Sequence, residues 1–400
     1  MRLLTVGNMY PPEHLGGYEV VWASAVEHLR ARGHDVTVLT TDTRLHEDAP
    51  PDPSYVHRAL RWHWRDHVFV PATLRAAYEV ERHNAGVLRS HLGDEPDAVL
   101  WWAMGGMSLG LLGAVASAGI GAGAVVHDGW PVYGPLVDPW IQAPGVARGA
   151  GRLRGLPGRF APEAVAKWSF NSAWLRDAVL ERVAGIAADS CEVAPPGIDA
   201  ERFAAAPPGE WGWRLACIGR VEPRKGLAVA IEALAKLPAR ASLTITGGGD
   251  SAHRGELEAL AARLGLTQRV TFNGALPDVA EAYTSADAVL FPVTWDEPFG
   301  LVPLEAMAAG RPVVATGTGG SAEYLRDAVN CLLSPPGDAV ALAAAVSRLA
   351  SDAELRAGLV AEGLTTSHAY PEAAFNQAIE DFAREVVAVS DGDRGPRADR

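Results

Sequence analysis

At 400 residues, with 48% hydrophobic and 21% charged side chains, the chain has the size of two or three domains and the make-up of a soluble globular protein. A formal net charge of −13 excludes a general nucleic-acid binder, which needs basic surface, although 35 Lys and Arg leave room for a local positive pocket. No apolar run approaches the roughly 18 residues of a spanning helix, so no stable membrane insertion is expected.

Short apolar runs alternate with longer helical patterns, the signature of a parallel α/β architecture. The first residues, Met1 to Gly7, read as a strand running into a loop and not as a leader segment. Strands are expected over 3–7, 36–40, 98–101 and 124–127, with short ones near 168–170 and 192–194. A helix over 19–32 closes at Gly33, and the small-residue stretch 105–126 reads as helix, turn and strand. Pro195-Pro196-Gly197 and Pro207-Pro208-Gly209 mark the domain boundary. Beyond it, strands are expected over 215–218, 243–246, 270–272, 288–291 and 313–315, with helices near 227–237, 256–264, 279–283 and 304–309. An amphipathic stretch over 371–389 follows the second sheet and is expected to return to the first domain. The polar tail 390–400 is expected to be disordered. The domains are therefore 1–195 and 196–370, each a doubly wound parallel sheet, with 371–389 as a returning helix. Cys191, Cys217 and Cys331 show no CxxC or Cys/His ligand spacing, which favours small buried hydrophobes in a reducing cytoplasm over a disulfide or metal site.

The most informative segment is Glu297-Pro298-Phe299-Gly300-Leu301-Val302-Pro303-Leu304-Glu305. It reads as a loop entering a helix, with a carboxylate at each end and bare backbone between. Gly300 allows close approach of a ligand, and Pro303 suits a first helical turn. Amides from Gly300, Leu301 and Val302 would face an anion, while Glu297 and Glu305 accept hydrogen bonds from sugar and ribose hydroxyls. Amides and acids side by side suit a nucleotide sugar. A second loop, Gly219-Arg220-Val221-Glu222-Pro223-Arg224-Lys225-Gly226, leaves the first strand of the second domain. There Arg220 offers a bidentate fork and Lys225 a mobile charge to phosphate oxygens. Gly16 and Gly17 sit between the first strand and first helix, where backbone can approach an anion; the spacing is not GxGxxG. Gly247-Gly248-Gly249 is a loop expected under the nucleotide. His127 ends a strand and is equally readable as a sugar contact or a satisfied structural histidine.

Taken together, these pieces resemble the retaining glycosyltransferases of family four, which have the GT-B fold. The resemblance runs through Gly16-Gly17, Gly33-His34-Asp35-Val36, Pro196-Gly197-Ile198-Asp199, Gly219 to Gly226, Glu297 to Glu305, and Gly310-Arg311-Pro312 with Gly319-Gly320. It implies two Rossmann-like domains facing each other across a cleft, the first binding the acceptor and the second the nucleotide sugar. It also implies residue roles. Glu305 holds the ribose and Glu297 the hexose. Arg220 and Lys225 neutralise the diphosphate, with amides from Gly300, Leu301 and Val302. Gly17 approaches the phosphate, and His127 touches the sugar. The implied reaction moves a hexosyl group from a UDP- or GDP-sugar to an acceptor hydroxyl with retention. It needs no cofactor and no metal, and proceeds in a cytoplasmic monomer or homodimer.

A glycoside hydrolase would have no use for the Arg220/Lys225 loop. A sugar-nucleotide epimerase would share the fold and the donor site, but would need acid and base groups on both sugar faces. A non-catalytic sugar-nucleotide sensor would keep the same site without the reaction. For the acceptor, Trp62, Trp64, Trp101, Trp102, Trp130, Trp140, Tyr133 and Phe69 load the first domain with aromatics. Trp101, Trp102 and Trp130 near strand ends are expected to line a partly apolar pocket, pointing to a small secondary metabolite over a cell-envelope glycan or glycolipid. No exposed basic amphipathic helix stands out in the first domain.

Overall fold

The computed structural model describes residues 1–45, 50–65, 68–204, 209–276 and 278–394, with side chains through 389. The chain forms two compact units, one of Met1–Pro195 with the chain from Phe375 onward, the other Pro196–Ala374. Pro207 and Pro208 of the expected boundary lie outside the described residues.

The first unit holds a seven-stranded parallel sheet. Its strands are β1 (Arg2–Val6), β2 (Asp35–Thr41), β3 (Val56–Leu60), β4 (Ala98–Trp101), β5 (Gly121–Val126), β6 (Lys167–Phe170) and β7 (Cys191–Val193). Their order is β3-β2-β1-β4-β5-β6-β7. Helices cover both faces, so the central strands read as unbroken apolar runs; all four residues of β4 are buried. The second unit repeats the plan with β8 (Arg214–Ile218), β9 (Ser242–Thr246), β10 (Val270–Gly274), β11 (Ala288–Phe291), β12 (Val313–Ala315) and β13 (Leu332–Leu333), in the order β10-β9-β8-β11-β12-β13. Both are doubly wound Rossmann-like sheets whose strand order reverses beside the first strand. That reversal opens a crevice at the carboxyl ends of β1/β4 in one unit and of β8/β11 in the other.

Sequence patterning missed three long helices: α2 (Leu74–Leu92), which follows α1 (Gly17–Ala31), and those over Ala339–Ser351 and Ala353–His368. The inward positions of α2 are Ala77, Glu81, Asn84, Ala85 and Leu88, so two buried polar residues break its apolar periodicity. The second departure lies between α3 (Trp130–Val137) and β6. There α4 (Gly145–Arg152) and the turn after it expose Val146 at 88% and Leu153 at 91% beside exposed Arg152 and Arg154. Of the two arginines on this short helix only Arg152 is exposed, and Gly145, Gly149 and Gly151 hide the helix in the sequence.

The aromatic expectation is corrected as well. Trp101, Trp102 and Trp130 are at most 1% exposed and belong to the interior, where Trp130 stacks on Trp168 at 5.9 Å. A strand end in a sheet covered on both faces is still inside, which is why position near a strand end did not mean a pocket wall. Trp62, Trp64, Phe69 and Tyr133 are half-buried.

The chain ends in α7 (Glu372–Arg394). Phe375, Ile379, Phe382 and Val386 recur at helical spacing and are all 3% exposed or less, packing the helix onto the first unit. Each such side chain contributes roughly 1.5–3 kcal/mol. A Cβ on Gly123 of β5 would lie 2.7 Å from Phe382, so the ring rests on bare backbone. Glu380 of α7, 1% exposed, accepts from His34 Nε2 at 3.0 Å, from His28 Nε2 at 3.2 Å and from Arg32 Nε at 3.3 Å. The helix continues through Arg394, into the stretch expected to be disordered, because extending a docked helix costs little beside nucleating one. Residues 395–400 lie outside the described residues.

Candidate active site

In the second unit the loops that leave β8 and β11 meet at the strand-order reversal. The first carries Arg220, Glu222, Arg224 and Lys225, and the second Trp295 and Glu297. They are latched main chain to main chain: Thr294 N–H donates to Arg224 O at 2.9 Å. Gly226 adopts φ 66°, and a Cβ there would lie 1.8 Å from Pro292 O, so the two backbones are as close as glycine permits. The chain then enters α5 (Leu227–Leu234). Below, Gly219 N–H donates to Thr246 O at 2.9 Å and Val221 N–H to Gly248 O at 2.8 Å, which makes Gly219 and Gly248 part of the floor under the basic loop.

Charge is concentrated here. Glu222 lies 3.1 Å from Arg224 Nη2 and 3.7 Å from Arg220 Nη2. Burial pushes its carboxyl up, but Arg220, Arg224 and Lys225 together hold it below the usual range. Lys225 Nζ is 2.7 Å from Glu297 Oε2, with both side chains less than a fifth exposed. The same oxygen accepts the indole N–H of Trp295 at 2.9 Å. The Arg224 guanidinium lies 4.1 Å over the Trp295 ring. Three cations thus face two carboxylates, and an incoming dianion finds a net positive loop.

Glu305 lies in the first turn of α6 (Val302–Ala308), with Pro303 beside it. Burial raises its carboxyl above the usual range, against the pull of the Tyr283 hydroxyl, which donates to Oε2, and of Arg202. Gly300, Leu301 and Val302 lead into this helix, where the first amides have no acceptor within the helix itself, and Gly300 takes φ 86°, which turns the chain into it. Tyr324 ties the segment together. Its hydroxyl donates to Gly300 O, and after burial its pKa is pushed up by Glu297 and, more weakly, by Glu305. The structure therefore brings Arg220, Lys225 and Glu297 into one charged cluster, with the 300–302 amides and Glu305 following on the same segment.

Sequence reading missed Glu222, Trp295, Tyr283 and Tyr324 as members. Trp295, two residues before Glu297, carried the only usable signal; nothing local marks the tyrosines.

Gly16, Gly17 and His127 form a separate cluster in the first unit. Gly16 N–H donates to Glu19 Oε2 at 3.1 Å at the start of α1. Tyr18, next to Gly17, stacks on His127 at 4.8 Å and donates to Val125 O. Trp102 lies 5.9 Å and Phe375 5.4 Å from the imidazole, and Asn171 Nδ2 donates to His127 O at 3.0 Å. His127 is 8% exposed, and burial lowers its pKa to about 3, so it is neutral at physiological pH. Its Nε2 has no partner among the described residues.

Comparison with known proteins places the chain in a family. Residues 15–202 match the family described as Glycosyltransferase Family 4, and residues 213–352 the family described as Glycosyl transferases group 1. The D-inositol 3-phosphate glycosyltransferase of Acidothermus cellulolyticus is 30% identical over 377 residues, covering 86% of this chain and 80% of that protein. The chain belongs to the family 4, group 1 glycosyltransferases. The 2-deoxystreptamine glucosyltransferase of Streptomyces kanamyceticus is 34% identical over 222 residues, covering 49% of this chain and 57% of that one. The chain spans about half the length of several curated relatives it matches. Among solved structures, HepE from Anabaena, crystallised with UDP and glucose, superposes with a TM-score of 0.72 at 21% identity, over 96% of this chain and 99% of that one. Sucrose-phosphate synthase from Thermosynechococcus elongatus gives 0.75 at 20% identity, over 97% and 100%. The fold is the two-domain GT-B fold. Among the described residues, no helix is long and apolar enough to cross a membrane.

Proposed function

We propose that the chain is a retaining hexosyltransferase that takes its sugar from a UDP- or GDP-sugar and passes it to a hydroxyl of a small polyhydroxylated acceptor. The observation that carries this is the 2.7 Å pairing of Lys225 with Glu297 at the strand-order reversal, with Arg220 in the same basic cluster and helix-entry amides a few residues on. In the reaction the bond from the anomeric carbon to the diphosphate breaks, and negative charge grows on the leaving oxygen. Arg220, Lys225 and the amides of Gly300, Leu301 and Val302 are aimed at that charge, and fixed donors of this kind supply the largest catalytic effect. The acceptor oxygen bonds to the anomeric carbon from the face the diphosphate leaves, and its proton passes to the departing phosphate oxygen. No side-chain base and no divalent metal are required. Glu297 accepts from the hexose and Glu305 from the ribose. His127 and Gly17 keep the sugar and phosphate contacts that the family resemblance implies.

Two named relatives support the acceptor class: one carries 2-deoxystreptamine in its name and the other D-inositol 3-phosphate. With Trp101, Trp102 and Trp130 in the interior, a small polar polyol replaces the partly apolar acceptor, and a role in natural-product biosynthesis in the cytoplasm remains the favoured setting. The test is incubation with UDP-glucose or GDP-mannose and either 2-deoxystreptamine or myo-inositol, read by mass spectrometry, with and without EDTA. Hexosyl transfer with an α-linkage, unchanged by EDTA, is expected. Inversion at the anomeric carbon, or loss of activity in EDTA, would overturn the mechanism.

A further inference from the structure

Glu297 is held in an asymmetric way. Lys225 Nζ at 2.7 Å and Trp295 Nε1 at 2.9 Å both reach Oε2, while Oε1 accepts no hydrogen bond from the described residues. The two donors are not equivalent. Lys225 is a point charge on a four-carbon stem, and a diphosphate nearby competes for it. The indole has a single N–H, carries no charge and cannot titrate near neutral pH.

The indole is also immobilised. Arg224 stacks on its ring at 4.1 Å, and that guanidinium is itself tied to both Glu222 oxygens, at 3.2 and 3.1 Å. The main chain around it is pinned at two points to one turn. Thr318 Oγ1 donates to Trp295 O at 2.6 Å, and Gly320 N–H to Glu297 O at 2.8 Å. Of the two donors on Oε2, the indole N–H is the one a phosphate would not compete for.

We propose that Trp295 is a positioning residue for sugar recognition: its indole N–H fixes one oxygen of Glu297 and so presents the other to a hydroxyl of the transferred hexose. This rests on the proposed nucleotide-sugar donor. Trp295 then governs how much the hexose adds to donor affinity, and which epimer is preferred, while leaving the nucleoside diphosphate alone.

Trp295→Phe keeps an aromatic ring beneath Arg224 and removes the pyrrole half of the indole together with its N–H. Calorimetry on the full chain with UDP and UDP-glucose, and with GDP and GDP-mannose as the second pair, tests the idea. For the pair that the wild type binds, Trp295→Phe leaves the affinity for the free diphosphate within about twofold. It lowers the ratio of sugar-nucleotide to diphosphate affinity about tenfold. Preference between the sugar epimers, read as UDP-glucose against UDP-galactose where UDP is the base, shrinks with it. Arg224→Gln leaves the indole in place without its stacking partner and lowers the same ratio about threefold. A ratio unchanged in both variants, or an equal fall for diphosphate and sugar nucleotide, overturns the proposal. If the wild type binds neither pair, the donor reading itself fails and this proposal falls with it.

Discussion

The chain holds two pairs of acids in two units, and their surroundings differ in kind. In the first unit, Glu81 and Asp138 are 1% and 2% exposed, with no cation paired to either among the described residues. Asp138 takes backbone N–H groups from Leu109, Trp140 and Ile141 at 2.9 to 3.1 Å, and burial lifts it to about 6. Glu81 is lifted by burial, and then by Asp138, to about 8, so it keeps its proton at neutral pH. In the second unit, Glu297 and Glu305 are half-buried, and Glu297 is paired with a cation and has one oxygen unused. The first pair spends its lone pairs on the protein or stays protonated, whereas Glu297 keeps one oxygen without a hydrogen bond among the described residues.

The contrast can be broken at several points. Trp130→Ala, in the first unit's interior, should cost about 3–5 kcal/mol in chemical denaturation. A loss of acceptor affinity with stability unchanged would return that ring to a pocket wall. Lys225→Ala should lower kcat roughly 100-fold, with free UDP or GDP bound far less weakened. Equal small effects on both would remove the leaving-group role. Glu81→Gln probes the other side. A carboxyl raised from 4.5 to about 8 lends stability that is complete below pH 4.5 and lost as the pH rises through 8. The amide cannot ionise, so the variant should lie close to wild type at pH 5 and gain about 4 kcal/mol on it by pH 9. A constant difference at both pH values would mean that Glu81 is not protonated in the fold. Last, Glu305→Ala should weaken free UDP or GDP about tenfold in calorimetry, even with no sugar attached. Unchanged binding would refute the ribose contact.

Much of the architecture was written in local patterns. The alternation of apolar runs with helical stretches located the central strands of both sheets, because a strand covered on both faces must be apolar throughout, but not the edge strands β3 and β13. The Arg220 to Lys225 loop and the 297–305 segment were legible because glycine, proline and charge cluster there, and such residues punctuate backbone. What stayed hidden depended on contacts between segments distant in sequence. Glu81 and Asn84 face inward on α2, 24 to 27 residues from Ser108, so a helix with a polar interior read as no helix at all. Tyr283 and Tyr324 reach the acidic segment from 22 and 24 residues away, and no spacing announces that. The tryptophans misled for a related reason: side-chain type says a residue is valuable to bury, and only tertiary packing says where.

The main-chain latch between the two loops has its own consequence. Arg224 O bound to Thr294 N–H, and Gly226 pressed on Pro292, set the span between cations and acid through the peptide skeleton alone. The spacing of the basic loop from Glu297 is therefore set by backbone, so side chains such as Trp295 can be exchanged without re-spacing the charges. Replacing Gly226, by contrast, would pry the two loops apart.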